Sequence, residues 1–208
     1  MIARVEQWAV KPDVRWVSPR ATGRPLTIFG GRDALAWYDI LTFDRSRMDH
    51  EGIEKASQVV AEAVREERAK ADRRVVLVGF SQGGILALHA GLRLRDEVAG
   101  IVALSAALPF PDRIPAADAR SPRVFFGHGR FDSRVPHAMG RESYSCLKDR
   151  GYQVEWRSYW CGHDLTPRIL RDVSGWLQRD DGLSFRLPAA KKARESSGLS
   201  WGTPARQA

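Results

Sequence analysis

The chain has 208 residues, 43% of them hydrophobic and 28% charged, with a formal net charge of +8. Those values read as one soluble globular domain large enough for a substantial core. They exclude a membrane-spanning chain, because no apolar run approaches the length of a span. The N-terminal MIARVEQWAVKP lacks the uninterrupted apolar stretch of a secretion signal, so a cytoplasmic protein is the expectation.

Cys146 and Cys161 are the only cysteines, which excludes a disulfide framework. Cys161 and His163 could form half of a metal site, but no second pair stands at ligand spacing, and zinc asks for three or four protein ligands. No metal is expected. From Gly182 onward Arg186, Lys191, Lys192, Arg194 and Arg206 face Glu195 alone, so half of the excess positive charge sits on a short tail. Elsewhere the charge is interleaved, as in VREERAKADRR. This describes a solvated surface with a basic tail better than a nucleic-acid face.

In chain order, Ile2, Val5 and Ala9 suit the apolar side of a short helix, and VRWVSP after Pro12 and Asp13 reads as a brief strand. Ala21 to Arg47 is rich in loop residues, with Gly30, Gly31 and the aromatic pair Trp37 and Tyr38. Asp49 is a candidate N-cap for a helix to about Lys70, whose Ile53, Ala56, Val60, Ala63 and Val64 form one stripe. VVLVGF reads as a buried strand running into a helix, VAGIVALSA as a second strand and PRVFFGHG as a third, ending near Gly129. A helix over Pro136–Gly151, an alternating strand YQVEWRSY and a helix over Thr166–Gln178 complete the series. Strands alternating with helices predict an α/β fold with a mostly parallel sheet covered on both faces. The domain is expected over residues 1–179, with a disordered basic tail over 180–208.

At the first strand–helix junction stands GFSQG, which matches the G-x-S-x-G nucleophile elbow. A strand that reverses directly into a helix forces the serine into strained geometry and exposes its hydroxyl at the sheet edge. Side chains flanking so tight a turn would clash, which accounts for glycine on both sides. The following helix aims its N-terminal N–H groups, Gln82's first, at any developing oxyanion. The pentapeptide alone is a weak signal, but a strong strand before it and a helix after it supply the required context. Ser81 is therefore the candidate nucleophile.

A serine needs a base, and the base an orienting acid, following in the order Ser, Asp or Glu, His in this kind of fold. FFGHGRFDSRVP places Asp132 in the loop after a strand, and YWCGHDL places His163 in a loop before the last helix. Asp164, Asp112 and Asp118 are competing acids, less well placed. Asp164 adjoins the histidine, and the other two lie in a Pro-rich loop. His128 reads as structural, His89 as packed or half exposed, and His50 and His137 as surface residues near helix starts.

These residues resemble the acyl-protein thioesterase and bacterial carboxylesterase/phospholipase family of α/β-hydrolases. GFSQGG resembles its elbow, HGRFDSRVP its acid loop and Gly162–His163 its histidine loop. SPRATGRPLTIFGGRDALAWYDI is similar to the segment before its long helix. The likeness covers roughly Ile2 to Leu177. It implies an α/β-hydrolase fold, catalytic roles for Ser81, Asp132 and His163, no cofactor, and a small-molecule acyl ester or thioester as substrate. Trp37 and Tyr38 would border the acyl pocket unless they simply pack in the core. No nucleic acid and no membrane span are expected, and homodimerisation is left open.

The front of the chain departs from the resemblance. Family members carry two or three early strands and a His-Gly-x-Gly loop that supplies a second oxyanion N–H. No such loop precedes Ser81, and the only His-Gly pair is His128–Gly129. The fold is thus expected to lack its first strands, leaving a gap in the sheet beside the Ser81 strand. Either Met1 is an internal methionine of a longer reading frame, or the protein is truncated. The leading expectation is a serine esterase; the competing one is a silent hydrolase that binds without turnover.

Overall fold

The computed structural model describes residues 14–42, 46–70 and 74–179. The short helix expected near Ile2 and the basic tail lie outside them. A four-stranded parallel sheet forms the centre, in the order β3 (Val76–Phe80), β4 (Gly100–Leu104), β5 (Arg123–Gly129) and β6 (Val154–Tyr159). Because every crossover connects parallel neighbours, all four strands end at the same edge, and the loops leaving that edge can converge. α2 (Gln82–Leu94) follows β3, α3 (His137–Asp149) follows β5, and α4 (Pro167–Gln178) closes the described chain. α1 (His50–Lys70) precedes β3.

Alternation along the strands divides the interior into two cores. Ile101, Ala103, Val124 and Phe126 pack with Leu86, Leu88 and Leu92 of α2, Leu147 of α3, and Ile53 and Val64 of α1. Val102, Leu104 and Phe125 face the other way, onto Tyr159 and onto Ile169, Val173 and Trp176 of α4. β4 is buried at every position, as expected of a strand covered on both sides. β3 is only half-buried at three of its first four residues, and among the described residues its single strand neighbour is β4.

Helix ends follow their sequence signals. The Asp49 carboxylate accepts the Gly52 N–H at 2.8 Å, and the Thr166 hydroxyl accepts the Ile169 N–H at 3.4 Å. α1 is fastened to α2 by Glu54, which takes both Nη atoms of Arg93 at 2.9 and 3.0 Å and lies 3.2 Å from Nε2 of buried His89.

Two expectations are corrected before α1. VRWVSP is not a strand: residues 14–20 have no regular structure, and Val14 and Val17 are exposed. Instead the segment read as loop contains an antiparallel hairpin, β1 (Thr22–Leu26) with β2 (Arg32–Ala36). Its turn is a short 3₁₀ helix followed by Gly30 and Gly31 at φ 64° and 81°, a conformation that favours glycine.

Candidate active site

Between Phe80, the last residue of β3, and Gln82, the first of α2, Ser81 adopts φ 55° and ψ −123°. Non-glycine residues held at positive φ cost on the order of 1–3 kcal/mol, so the surroundings must impose this conformation. Two backbone hydrogen bonds do so. The Ser81 N–H donates to Leu104 O at 2.9 Å, and its carbonyl accepts from Ile85 N at 3.0 Å. The flanking glycines act as expected with one correction. A methyl group on Gly79 would run into the Gly83 carbonyl, and one on Gly84 would stand 2.6 Å from Ala106 Cβ, whereas Gly83 itself faces open space. The steric need lies at 79 and 84.

Asp132 and His163 are brought together by two loops leaving the same sheet edge. His163 Nδ1 lies 3.0 and 2.9 Å from the two Asp132 carboxylate oxygens. Asp132 Oδ1 also accepts the N–H groups of Arg134 at 3.0 Å and Val135 at 2.9 Å. Burial would raise this carboxyl's pKa, but the His163 hydrogen bond, the Val135 amide and the Ser105 hydroxyl outweigh it and hold it at about 2. The imidazole of His163 lies over the Phe80 ring, centroids 4.6 Å apart, beside the elbow. Gly129 permits the loops to touch, since any side chain there would strike the carbonyls of Cys161 and Gly162.

The competing acids are engaged elsewhere. Asp118 pairs with Arg95 at 2.6 Å and Arg120 at 3.3 Å, and exposed Asp164 accepts its neighbour's N–H, that of Leu165, at 2.7 Å. Asp112 is the middle residue of a 3₁₀ turn over Pro111–Arg113.

His128, read as structural, is fully buried behind the acid loop. Its Nε2 lies 2.8 Å from Val135 O, to which it donates, and 3.6 Å from Asp132 Oδ2. The ring stacks on Trp156 at 19°. α3 can approach because residue 140 is glycine, whose place a side chain would fill at the cost of His128 Nδ1.

Two participants escaped the sequence reading. The Gln82 side chain accepts from Trp37 N and donates to Tyr38 O, each at 2.9 Å, so the segment after the hairpin is strapped to the elbow. Ser105, at φ 46° and almost fully buried, reaches Asp132 from the end of β4. A polar residue closing the apolar run GIVAL was the available signal. Of the two aromatics, Tyr38 is buried in the α1–α2 core, and half-buried Trp37 lines a cleft of about 480 Å³ shared with Arg20, Arg24 and Lys55. Ser81, Asp132 and His163 do not line that cleft.

A serine strained at a strand–helix turn, with an aspartate–histidine pair packed on the Phe80 that precedes it at the carboxyl edge of a parallel sheet, is the arrangement of an α/β-hydrolase. The chain belongs to the phospholipase/carboxylesterase family, whose model matches residues 1–180. It is similar to acyl-protein thioesterase 1 of Gibberella zeae, 32% identical over 84% of this chain and 82% of that one. It is likewise similar to acyl-protein thioesterase 1 of Neurospora crassa, 31% identical over 94% and 84%. Among solved structures, acyl-protein thioesterase 2 of Zea mays superposes with a TM-score of 0.77 at 26% identity, covering 88% of this chain and 87% of that one. SOBER1 of Arabidopsis thaliana shares the fold, with a TM-score of 0.75 at 24% identity over 85% and 88%.

Proposed function

We propose that the protein is a serine hydrolase that cleaves carboxylic esters or thioesters of short to medium acyl chains through an acyl-enzyme on Ser81. The observation that carries this reading is the Asp132–His163 pair seated over Phe80 beside the strained Ser81. His163 Nε2 takes the Ser81 proton as Oγ bonds to the substrate carbonyl carbon, while Asp132 holds Nδ1–H and stabilises the imidazolium. The Gln82 N–H and the positive end of α2 stabilise the oxyanion. The carbon–oxygen or carbon–sulfur bond then breaks, and His163 returns its proton to the departing alcohol or thiol. Water, deprotonated by His163, adds to the acyl carbon and releases the acid with Ser81 restored.

Support for the substrate class comes from the family's description as phospholipase/carboxylesterase and from relatives named acyl-protein thioesterases. Gln82 straps the Trp37–Tyr38 segment to the elbow, and we infer that half-buried Trp37 borders the acyl group while Tyr38 packs in the core. The catalytic unit spans residues 1–179, with 180–208 a basic extension, and it works in the cytoplasm on a small-molecule ester.

The test is hydrolysis of a short-chain p-nitrophenyl ester by the folded wild-type chain and its Ser81→Ala variant. Turnover that disappears with Ser81 is expected. Absent turnover from a folded chain would favour the second reading, a silent hydrolase that binds without reacting.

A further inference from the structure

The acid and histidine loops are zipped together by backbone. Arg130 N donates to Tyr159 O at 2.8 Å, and Phe131 N donates to Cys161 O at 3.0 Å. This pairing leaves two large aromatic side chains pointing outward, Phe131 at 63% exposure and Trp160 at 78%. Their ring centroids are 5.5 Å apart, and the Arg130 guanidinium lies 5.0 Å from the Trp160 centroid. Phe131 immediately precedes Asp132, and Trp160 stands three residues before His163. The pair therefore sits on the rim of the proposed reaction centre without belonging to its hydrogen bonds.

An aromatic ring left in water forgoes the gain of burial, and two adjoining exposed rings mark an interaction surface. The occupant follows from size and charge. Two aromatics offer about 150–250 Å² each, well below the roughly 800 Å² per partner of a stable protein interface. A lipid surface needs no such matching area. Tryptophan beside arginine is the composition that settles at a membrane–water boundary, ring at headgroup depth and cation on phosphate. The cations are Arg130 and exposed Arg134; the nearby exposed acid, Asp164, has one oxygen engaged by the Leu165 N–H.

We propose that this rim docks on an anionic lipid surface, with Phe131 and Trp160 seated at the headgroup–acyl boundary and Arg130 on headgroup phosphates. The site would then face the acyl groups of that surface. This orientation rests on the hydrolase reading; the docking itself does not.

The experiment is sedimentation of the full chain carrying Ser81→Ala with vesicles of phosphatidylcholine alone and of phosphatidylcholine with phosphatidylglycerol. Binding to the anionic vesicles, weakening as salt rises, is expected. Adding Phe131→Ser and Trp160→Ser should weaken it about tenfold or more. In the chain with Ser81 intact, the same pair of changes should leave the thermal midpoint and soluble-ester turnover near wild type. Failure of the parent chain to bind either vesicle overturns the proposal. So does undiminished binding by the double variant, which would assign the affinity to the basic tail. Loss of soluble-ester turnover without unfolding also overturns it, placing the rings in the substrate site. Since vesicle binding is read without turnover, a failed hydrolase reading and a failed docking proposal give different results.

Discussion

At the scale of single residues, Asp132 sits where burial opposes charge, and its donors nevertheless hold the carboxyl down to about 2. A carboxyl depressed on folding contributes stability that is complete above its unfolded pKa, near 4, and is lost as pH falls through the folded value. Acid unfolding should therefore show a component between about pH 4 and 2 that Asp132→Asn abolishes, read by circular dichroism against pH. The same variant should lower kcat by about 10²–10⁴, because the amide cannot hold the imidazole in the reactive tautomer. His128 supports this acid from behind. His128→Leu leaves the Val135 carbonyl unpaired and should cost about 1–3 kcal/mol in denaturant unfolding with a fall in kcat, while His128→Gln, which keeps a donor, should recover part of both.

Among the elements, the elbow makes a sharp distinction between neighbouring glycines. Gly79→Ala should unfold the turn or abolish turnover, because its methyl has only the Gly83 carbonyl to displace. Gly83→Ala, in open space at a helical position, should be neutral or stabilising by up to about 1 kcal/mol in thermal melts. The turn, α2, β5 and α4 were legible in the sequence because their patterns coincide with burial on one face or both. The hairpin was not. Of its ten residues only Leu26 and Ala36 are buried, so no apolar alternation announces it, and Pro25 argues against a strand. It holds through its own ladder and through Thr27, whose N–H and hydroxyl reach Asp39 at 2.8 and 2.5 Å. VRWV failed in the opposite sense, since β-branched residues favour a strand only where a partner exists to pair and cover them. The Asp132–His163 pairing could be anticipated from the order of the loops, but the Gln82 strap could not, because it joins residues 45 apart through one amide.

Across the whole molecule, the sheet's two faces are closed by different means. α2 and α3, with α1 packed onto α2, cover one face over a broad area, whereas the other rests on α4 alone among the described helices. Trp176 fills that second core, close enough to the sheet that a methyl on Gly100 would meet its ring at 2.8 Å. Trp176→Ala should cost about 3–5 kcal/mol in denaturant unfolding and loosen the histidine loop, which runs directly into α4. The strained serine has a consequence for selection. Glycine occupies φ 55° without penalty, so a Ser81→Gly chain should melt higher than Ser81→Ala. Selection on stability alone would drift toward erasing the hydroxyl. A serine there persists only where its chemistry outweighs that pull, which makes residue 81 an internal record of whether the chain has been working for its living.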